Sequence, residues 1–199
     1  AGLAAFAGLA TFARFAQLSG LVPMIGITSG RCFAGNASLL GCCDVIIATA
    51  GSNIGMGGPA MIEGGGLGQF APKEIGPIEV QSKNAVIDLV ADDEEHATAL
   101  AKRILGYTQG DLADWQCAEQ ESLRTVMPAD RRYAYDIRSI IQTLADKDSF
   151  TELTRAFGGA VITGFIRIQG KAMGLMANDC RVLGGALDCD AADKAGRFV

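Results

Sequence analysis

Between Gly26 and Asp44 the chain reads GITSGRCFAGNASLLGCCD. An apolar run delivers the backbone to Ser29–Gly30, and a helix of small residues begins around Ala34–Gly35–Asn36. Amide N–H groups at a helix start have no intrahelical partner and carry the positive end of the peptide dipoles. Small side chains let a ligand oxygen approach them. This is the chemistry of an oxyanion hole, suited to a thioester carbonyl on its way to an enolate. A tight turn with close helix packing would use the same residue types.

A second Gly-dense stretch, GMGGPAMIEGGGLG, runs from Gly55 to Gly68. Glycine runs allow positive φ and expose peptide N–H groups. The stretch lacks the GK[ST] ending of a P-loop and is not a G-x-G-x-x-G turn after a strand, which disfavours a nucleotide-phosphate cradle. Its one acid, Glu63, reads as a solvated or capping carboxylate. No side-chain nucleophile stands out. His96 follows Asp92, Asp93, Glu94 and Glu95 on a charged helix start, and Ser29 and Ser38 are in no G-x-S-x-G elbow. The cysteines (Cys32, Cys42, Cys43, Cys117, Cys180 and Cys189) form no C-x-x-C pair, so no metal site is expected. Catalysis would then run on backbone electrostatics.

The elements that must place these amides follow from pattern. Apolar residues at near-helical spacing run from Ala1 to Leu18, with no capping residue at the start. Leu21–Thr28 and Asp44–Thr49 read as buried strands around the Gly turn and small-residue helix, a βαβ-type signature. Residues 76–84 read as a short helix and Val86–Val90 as a strand. Asp92–Glu94 open a helix ending near Leu105, with acids at its positive end. Residues 107–135, with Trp115, Pro128 and Arg131–Arg132, are polar and aperiodic. Ile137, Ile140, Ile141 and Leu144 then share a helical face, Val161–Asn178 reads as a hairpin turning at Gln169–Gly170, and residues 190–199 begin a helix.

The composition is that of a globular protein, 49% hydrophobic and 20% charged, and the mixture of strand and helix patterns makes the expected class α/β. A net charge of −5 disfavours a general nucleic-acid role. The Ala/Phe/Leu-rich start is interrupted by Arg14 and Gln17 and supports neither a membrane span nor a signal peptide. Apolar settings for Cys32, Cys42 and Cys43 predict buried, reduced thiols and so a reducing compartment: the cytoplasm, or the mitochondrial matrix or its like.

Several long segments in order resemble one family. They are VPMIGITSGRCFAGNASLLGCCDVIIATAGSNIGMGGPAMIEGGGLG, EIGPIEVQSKNAVIDLVADDEEHATALAKRILGYTQG, YDIRSIIQTLADKDSFTEL, FGGAVITGFIRIQGKAMGLMAN and LGGALDCDAADKAGRF. Together they are similar to the carboxyltransferase component of biotin-dependent acyl-CoA carboxylases, which has the crotonase-like ββα superhelix. The resemblance implies transfer of a carboxyl group from carboxybiotin to the α-carbon of an acetyl- or propionyl-type acyl-CoA. It implies two crotonase-like domains, here the second part of the N-terminal domain (1–110), a linker (111–135) and the first part of the C-terminal domain (136–199). It also implies a homo- or hetero-oligomer whose site combines the N-domain of one subunit with the C-domain of its partner. Biotin would arrive on a biotin carboxyl carrier protein loaded by a biotin carboxylase, and the base released from biotin would deprotonate the acyl-CoA. No resident metal, nucleic acid or membrane is implied.

Carried over by position, the family's oxyanion peptide falls on Ala34 and Gly35, after Gly30 and Cys32, with Ala–Gly replacing the usual Gly–Gly. It would hold either the thioester oxygen or the ureido oxygen of biotin. Gly57–Gly58–Pro59 and Gly64–Gly65–Gly66 match the loop that helps wall the acyl-CoA pocket, and Gly184–Gly185 match a Gly pair of the C-domain. Arg31, Asn36 and Asn84–Ala85 depart from the family pattern. The family's S-G-G-A-R-I-type loop is expected before Ala1 and the rest of the C-domain after Val199, so the chain reads as a fragment. Three rival functions remain: a decarboxylase of the same family, a crotonase-fold hydratase or isomerase, and a non-catalytic truncated protein. A hydratase typically needs placed acids near the turn, whereas no Asp or Glu lies between Ala1 and Leu40.

Overall fold

A computed structural model describes residues 10–130 and 132–199. The chain divides into two compact units, Ala1–Arg103 and Ile104–Val199.

In the first unit, residues 10–16 are helical (α1). The earlier part of that helical pattern, with its missing cap, lies outside the described residues, as does Arg131. Then come β1 (Ile25–Thr28), β2 (Arg31–Phe33), α2 (Gly35–Leu40), β3 (Val45–Thr49), β4 (Asn53–Gly55), α3 (Pro59–Gly64), α4 (Ile78–Gln81), β5 (Leu89–Ala91) and α5 (Glu94–Gly106). β1, β3 and β5 form a parallel sheet in that order, while β2 and β4 pair in parallel in a second sheet. Each successive strand–strand–helix unit therefore sends its first strand to one sheet and its second to the other, the ββα winding expected from the resemblance.

Every residue of β3 is buried, which is why its sequence, VIIAT, is apolar and β-branched without alternation. Cys32, Ala37, Leu40, Ile46, Ile54 and Ile78 close one core beneath α2. Gly26 sets how near α2 comes: a Cβ there would sit 2.5 Å from Leu40 Cδ1 and 3.0 Å from Cys43 Sγ. α5 starts where the acids predict, with Asp93 Oδ1 accepting from His96 N at 2.8 Å.

The βαβ reading of residues 21–49 needs a correction: β2 intervenes between the Gly turn and the helix. Three residues are too few to show a period of 2, and the partner strand lies some twenty residues on. The Gly-dense stretch likewise contains β4 and α3. Only Cys32 is buried; Cys42 and Cys43 are half-buried and donate to Ser38 O and Leu39 O of the helix they follow.

The second unit holds α6 (Ile137–Leu144), β6 (Thr151–Leu153), β7 (Val161–Ile168), β8 (Lys171–Asn178) and α7 (Cys189–Phe198), the three strands forming an antiparallel sheet in chain order. The hairpin turns at Gln169 and Gly170, both with positive φ (53° and 79°), as a two-residue turn of the twisted type requires. Glutamine tolerates that conformation because both turn amides donate to the Asp146 carboxylate, at 2.9 Å from Gln169 N and 2.7 Å from Gly170 N. α7 is capped by Asp188, whose Oδ1 accepts from Ala191 N at 2.8 Å. Behind α6, Arg138 forks onto Glu152 (2.9 and 2.5 Å) and reaches Asp179 (2.8 Å), which also pairs with Arg181. No helix among the described residues is long and apolar enough to cross a membrane.

Candidate active site

The site is built where β1 ends. Gly30, at φ +83°, reverses the chain into β2, and β2 ends at Ala34, whose φ of 52° and ψ of −121° belong to a region glycine favours. The N–H of Ala34 donates to Gly55 O at 3.1 Å, extending the β2–β4 ladder by one bond. Its C=O accepts from Ser38 N at 3.0 Å, so Ala34 is the N-cap of α2. Ala34 is therefore corrected as an oxyanion donor, because its amide is already consumed. Its backbone angles turn the chain from β2 into α2.

The amides of Gly35 and Asn36 differ from that of Ala34. Both residues are exposed, and among the described residues neither amide has a protein acceptor. They are the orphan donors of the first helical turn. Gly35 leaves room for the Phe12 ring, which would lie 3.3 Å from a Cβ at that position. Beside them opens a cleft of about 420 Å³ lined by Phe15, Ile25, Ile27, Cys32, Asn36 and Leu39 among others. The lining carries one cation, Arg31, and no carboxylate. Burial raises the Cys32 thiol pKa, opposed by a hydrogen bond with Thr28, so the group stays a protonated packing residue.

The other residues named from sequence divide into groups. Gly57 and Gly58 lie close to the turn: Gly58 is the N-cap before Pro59, and a Cβ on it would touch the Phe33 ring at 3.6 Å. The run Gly64–Gly65–Gly66 ends α3. Gly65 N donates to Met61 O and Gly66 N to Glu63 O, both at 3.0 Å, so these amides are spent on helix termination and are not offered to a ligand. Glu63 is exposed and accepts from Gln69 at 2.5 Å, the solvated carboxylate expected. Gly184 and Gly185 belong to the second unit, where Gly185 N donates to Val182 O at 2.8 Å.

Sequence reading missed a chain of hydroxyls behind the turn, because its members are far apart in the sequence. Ser52 Oγ lies 3.1 Å from Thr28 O and accepts from Gly30 N at 3.1 Å. Thr49 Oγ1 lies 2.9 Å from Ser52 and 3.2 Å from Ser29, and Ser29 donates to Glu94 at 2.6 Å.

The strained cap makes a direct prediction. Ala34→Gly relieves an L-residue held at φ 52° and preserves the N–H bond to Gly55. Relief of such strain is worth about 1–3 kcal/mol, and the extra freedom of glycine in the unfolded chain returns about 0.4–1 kcal/mol of it. A net gain of about 1 kcal/mol is expected in urea denaturation at unchanged m-value; a loss of stability would show that the angles carry no strain.

Comparison with known proteins places these features in context. Residues 2–199 match the carboxyl transferase domain family model. The 12S subunit of methylmalonyl-CoA carboxyltransferase from Propionibacterium freudenreichii subsp. shermanii is 29% identical over 192 residues, covering 92% of this chain and 37% of the relative. The propionyl-CoA carboxylase beta chain of Rhodococcus erythropolis is 32% identical over 197 residues, covering 94% of this chain and 41% of its own. A solved single-chain, multi-domain long-chain acyl-CoA carboxylase superposes with a TM-score of 0.92 at 53% identity, over 94% of this chain and 19% of that one. The chain thus spans about two fifths of the length of the curated relatives it matches.

Proposed function

The chain belongs to the carboxyl transferase domain family and has its crotonase-like fold, and on that premise we propose that it forms part of an enzyme moving a carboxyl group from carboxybiotin to an acyl-CoA. The observation that carries this is the pair of amides at the exposed residues Gly35 and Asn36, without acceptors among the described residues, by an open cleft whose described lining holds Asn36 and no carboxylate. When a proton leaves the α-carbon of a thioester, the electron pair moves onto the carbonyl oxygen. Two N–H donors fixed at that oxygen stabilise the charge more than they stabilise the neutral ground state, which lowers the barrier. α2 has only six residues, so the local N–H dipoles, not a long helix dipole, do this. The α-carbon would then bond to the carboxyl carbon as that carbon's bond to the biotin nitrogen breaks, and the nitrogen left behind would take the α-proton. Carboxybiotin on a carrier supplies the carboxyl group and the base freed with it. This chain binds the thioester oxygen, and the acid at the turn, Glu94, is engaged by Ser29 at 2.6 Å.

In this reading the first unit is the second part of an N-terminal domain and the second unit begins a C-terminal domain, with 111–135 joining them. Gly30, Cys32, Gly57, Gly58 and Pro59 shape the acyl-CoA side of the first. The enzyme works as an oligomer and meets a biotin carboxyl carrier protein served by a biotin carboxylase. The six free cysteines support a reducing compartment, the cytoplasm first.

The test uses the whole protein that carries this chain. Incubated with carboxylated carrier and acyl-CoAs of increasing length, it should yield the α-carboxylated thioester. Release of CO2 from a malonyl-type thioester, without net transfer, would place the same site in a decarboxylase. Hydration of an enoyl-CoA that Glu63→Gln abolishes would overturn the proposal.

A further inference from the structure

We propose that Ser52 is a positioning residue for the oxyanion amides, acting through the Gly30 turn. The inference rests on the oxyanion reading above and adds a residue to which nothing in that reading gives a role.

Ser52 is 2% exposed and sits between β3 and β4, not on the strand that leads into the site. Its one hydroxyl meets three groups. Thr28 O, the last carbonyl of β1, and Thr49 Oγ1 lie at 3.1 and 2.9 Å, and Gly30 N donates to it at 3.1 Å. The oxygen therefore pins both sides of the β1–β2 reversal, at the only positive-φ residue between the two strands. From Gly30 the chain has three residues of β2 before Ala34, and those residues are held on their other side by β4, the strand that Ser52 itself precedes. A shift at Gly30 has no slack in which to dissipate before it reaches Gly35 and Asn36.

Backing extends outward. Thr49 links Ser52 to Ser29 at 3.2 Å, and Ser29 donates to Glu94 at the start of α5 at 2.6 Å. That bond from Ser29 is the main reason the Glu94 carboxyl stays below its ordinary pKa, so the outer end of the relay remains an anionic acceptor at neutral pH. Four hydroxyl or carboxylate groups, from the β1–β2 turn itself, β3, the β3–β4 turn and α5, are thus linked at one turn. Oxyanion donors must sit within a few tenths of an ångström of the developing charge, and a small misplacement is costly.

The test compares binding of an acyl-CoA thioester with that of the matching S-alkyl-CoA thioether, which lacks the carbonyl oxygen, in the whole protein that carries this chain. Wild type should prefer the thioester. Ser52→Ala should reduce that preference about fivefold to tenfold, the worth of one well-aligned hydrogen bond, leave thioether affinity unchanged, and lower kcat more than it changes KM. A residue that only stabilises the fold would move both affinities together. Thr49→Val, which cuts the link between Ser52 and Ser29 but leaves the Ser52 bonds to Thr28 O and Gly30 N, should give a smaller loss in the same direction and serves if Ser52→Ala does not fold. A folded Ser52→Ala that keeps the full thioester preference and kcat overturns the positioning role alone. A wild type that binds thioester and thioether equally overturns the oxyanion reading and this inference with it.

Discussion

Replacing Gly35 by proline is expected to lower kcat for carboxyl transfer by about 10²–10³-fold, the usual cost of one lost oxyanion donor, while the protein stays folded. Gly35 is the first residue of α2, the one helical position where proline fits without breaking a bond. Its N–H has no acceptor among the described residues, so no internal hydrogen bond is lost. At the Ala34 ψ of −121° the Cβ of that residue would meet a following proline ring, so the proline is placed in the Ala34→Gly background, which removes that Cβ. The ring does press on Phe12. Gly35→Ala, which keeps the N–H and adds a Cβ at the same contact, separates volume from hydrogen bonding and should cost far less. Because the donor matters most to the anionic transition state, kcat and kcat/KM should fall together.

The second large effect is on stability. Arg138→Met should destabilise the protein by about 3–5 kcal/mol, the cost of leaving the buried Glu152 carboxylate without its fork, while Asp179 keeps Arg181. The Glu152 and Asp179 side chains are only 9% and 3% exposed, and Arg138 contacts both. The same cluster sets an acid limit. Hydrogen bonding from Arg181, aided by Arg138, holds Asp179 at a pKa of about 2 against 3.8 for a free side chain. A carboxyl depressed in the folded state adds stability that is fully present above about pH 4. That stability is lost as pH falls toward 2, and amounts to about 2 kcal/mol at 1.4 kcal/mol per unit. Lys194 is instead a cost at neutral pH: burial lowers its pKa from 10.5 to about 8, so that cost is relieved as pH rises from about 8 to 10.5, again a gain of stability with rising pH. Urea midpoints measured across pH should show the acid loss in wild type and a much smaller one in Asp179→Asn. Equal slopes would remove Asp179 from the account.

What the sequence made legible was what rests on long, local patterns. VIIAT announced a strand buried on both faces, the acids at 92–94 announced a helix start, and Gln169–Gly170 announced a hairpin, because each signal is contained in a few adjacent residues. β2, β4 and β6 have three residues each, too few for a period, and exist through partners far along the chain. At the candidate site the turn itself was legible. Small residues at 34–36 marked it, but only the angles at Ala34 and the acceptor at Gly55 O show that its own amide is used, which leaves Gly35 and Asn36 as the proposed donors. Gly64–Gly65–Gly66 resembled an exposed amide cradle for the same reason. Glycine reports conformational freedom, and whether it serves a ligand or a helix end depends on where the hydrogen bonds go. The Ser52 relay joins residues up to 65 apart in sequence and had no local signature.

The most direct test is a structure of the whole protein with a bound acyl-CoA enolate mimic. The thioester-derived oxygen should lie about 2.7–3.1 Å from the amide nitrogens of Gly35 and Asn36, the distance an oxyanion donor requires. An oxygen bound elsewhere, with those two amides facing only solvent, would contradict the account.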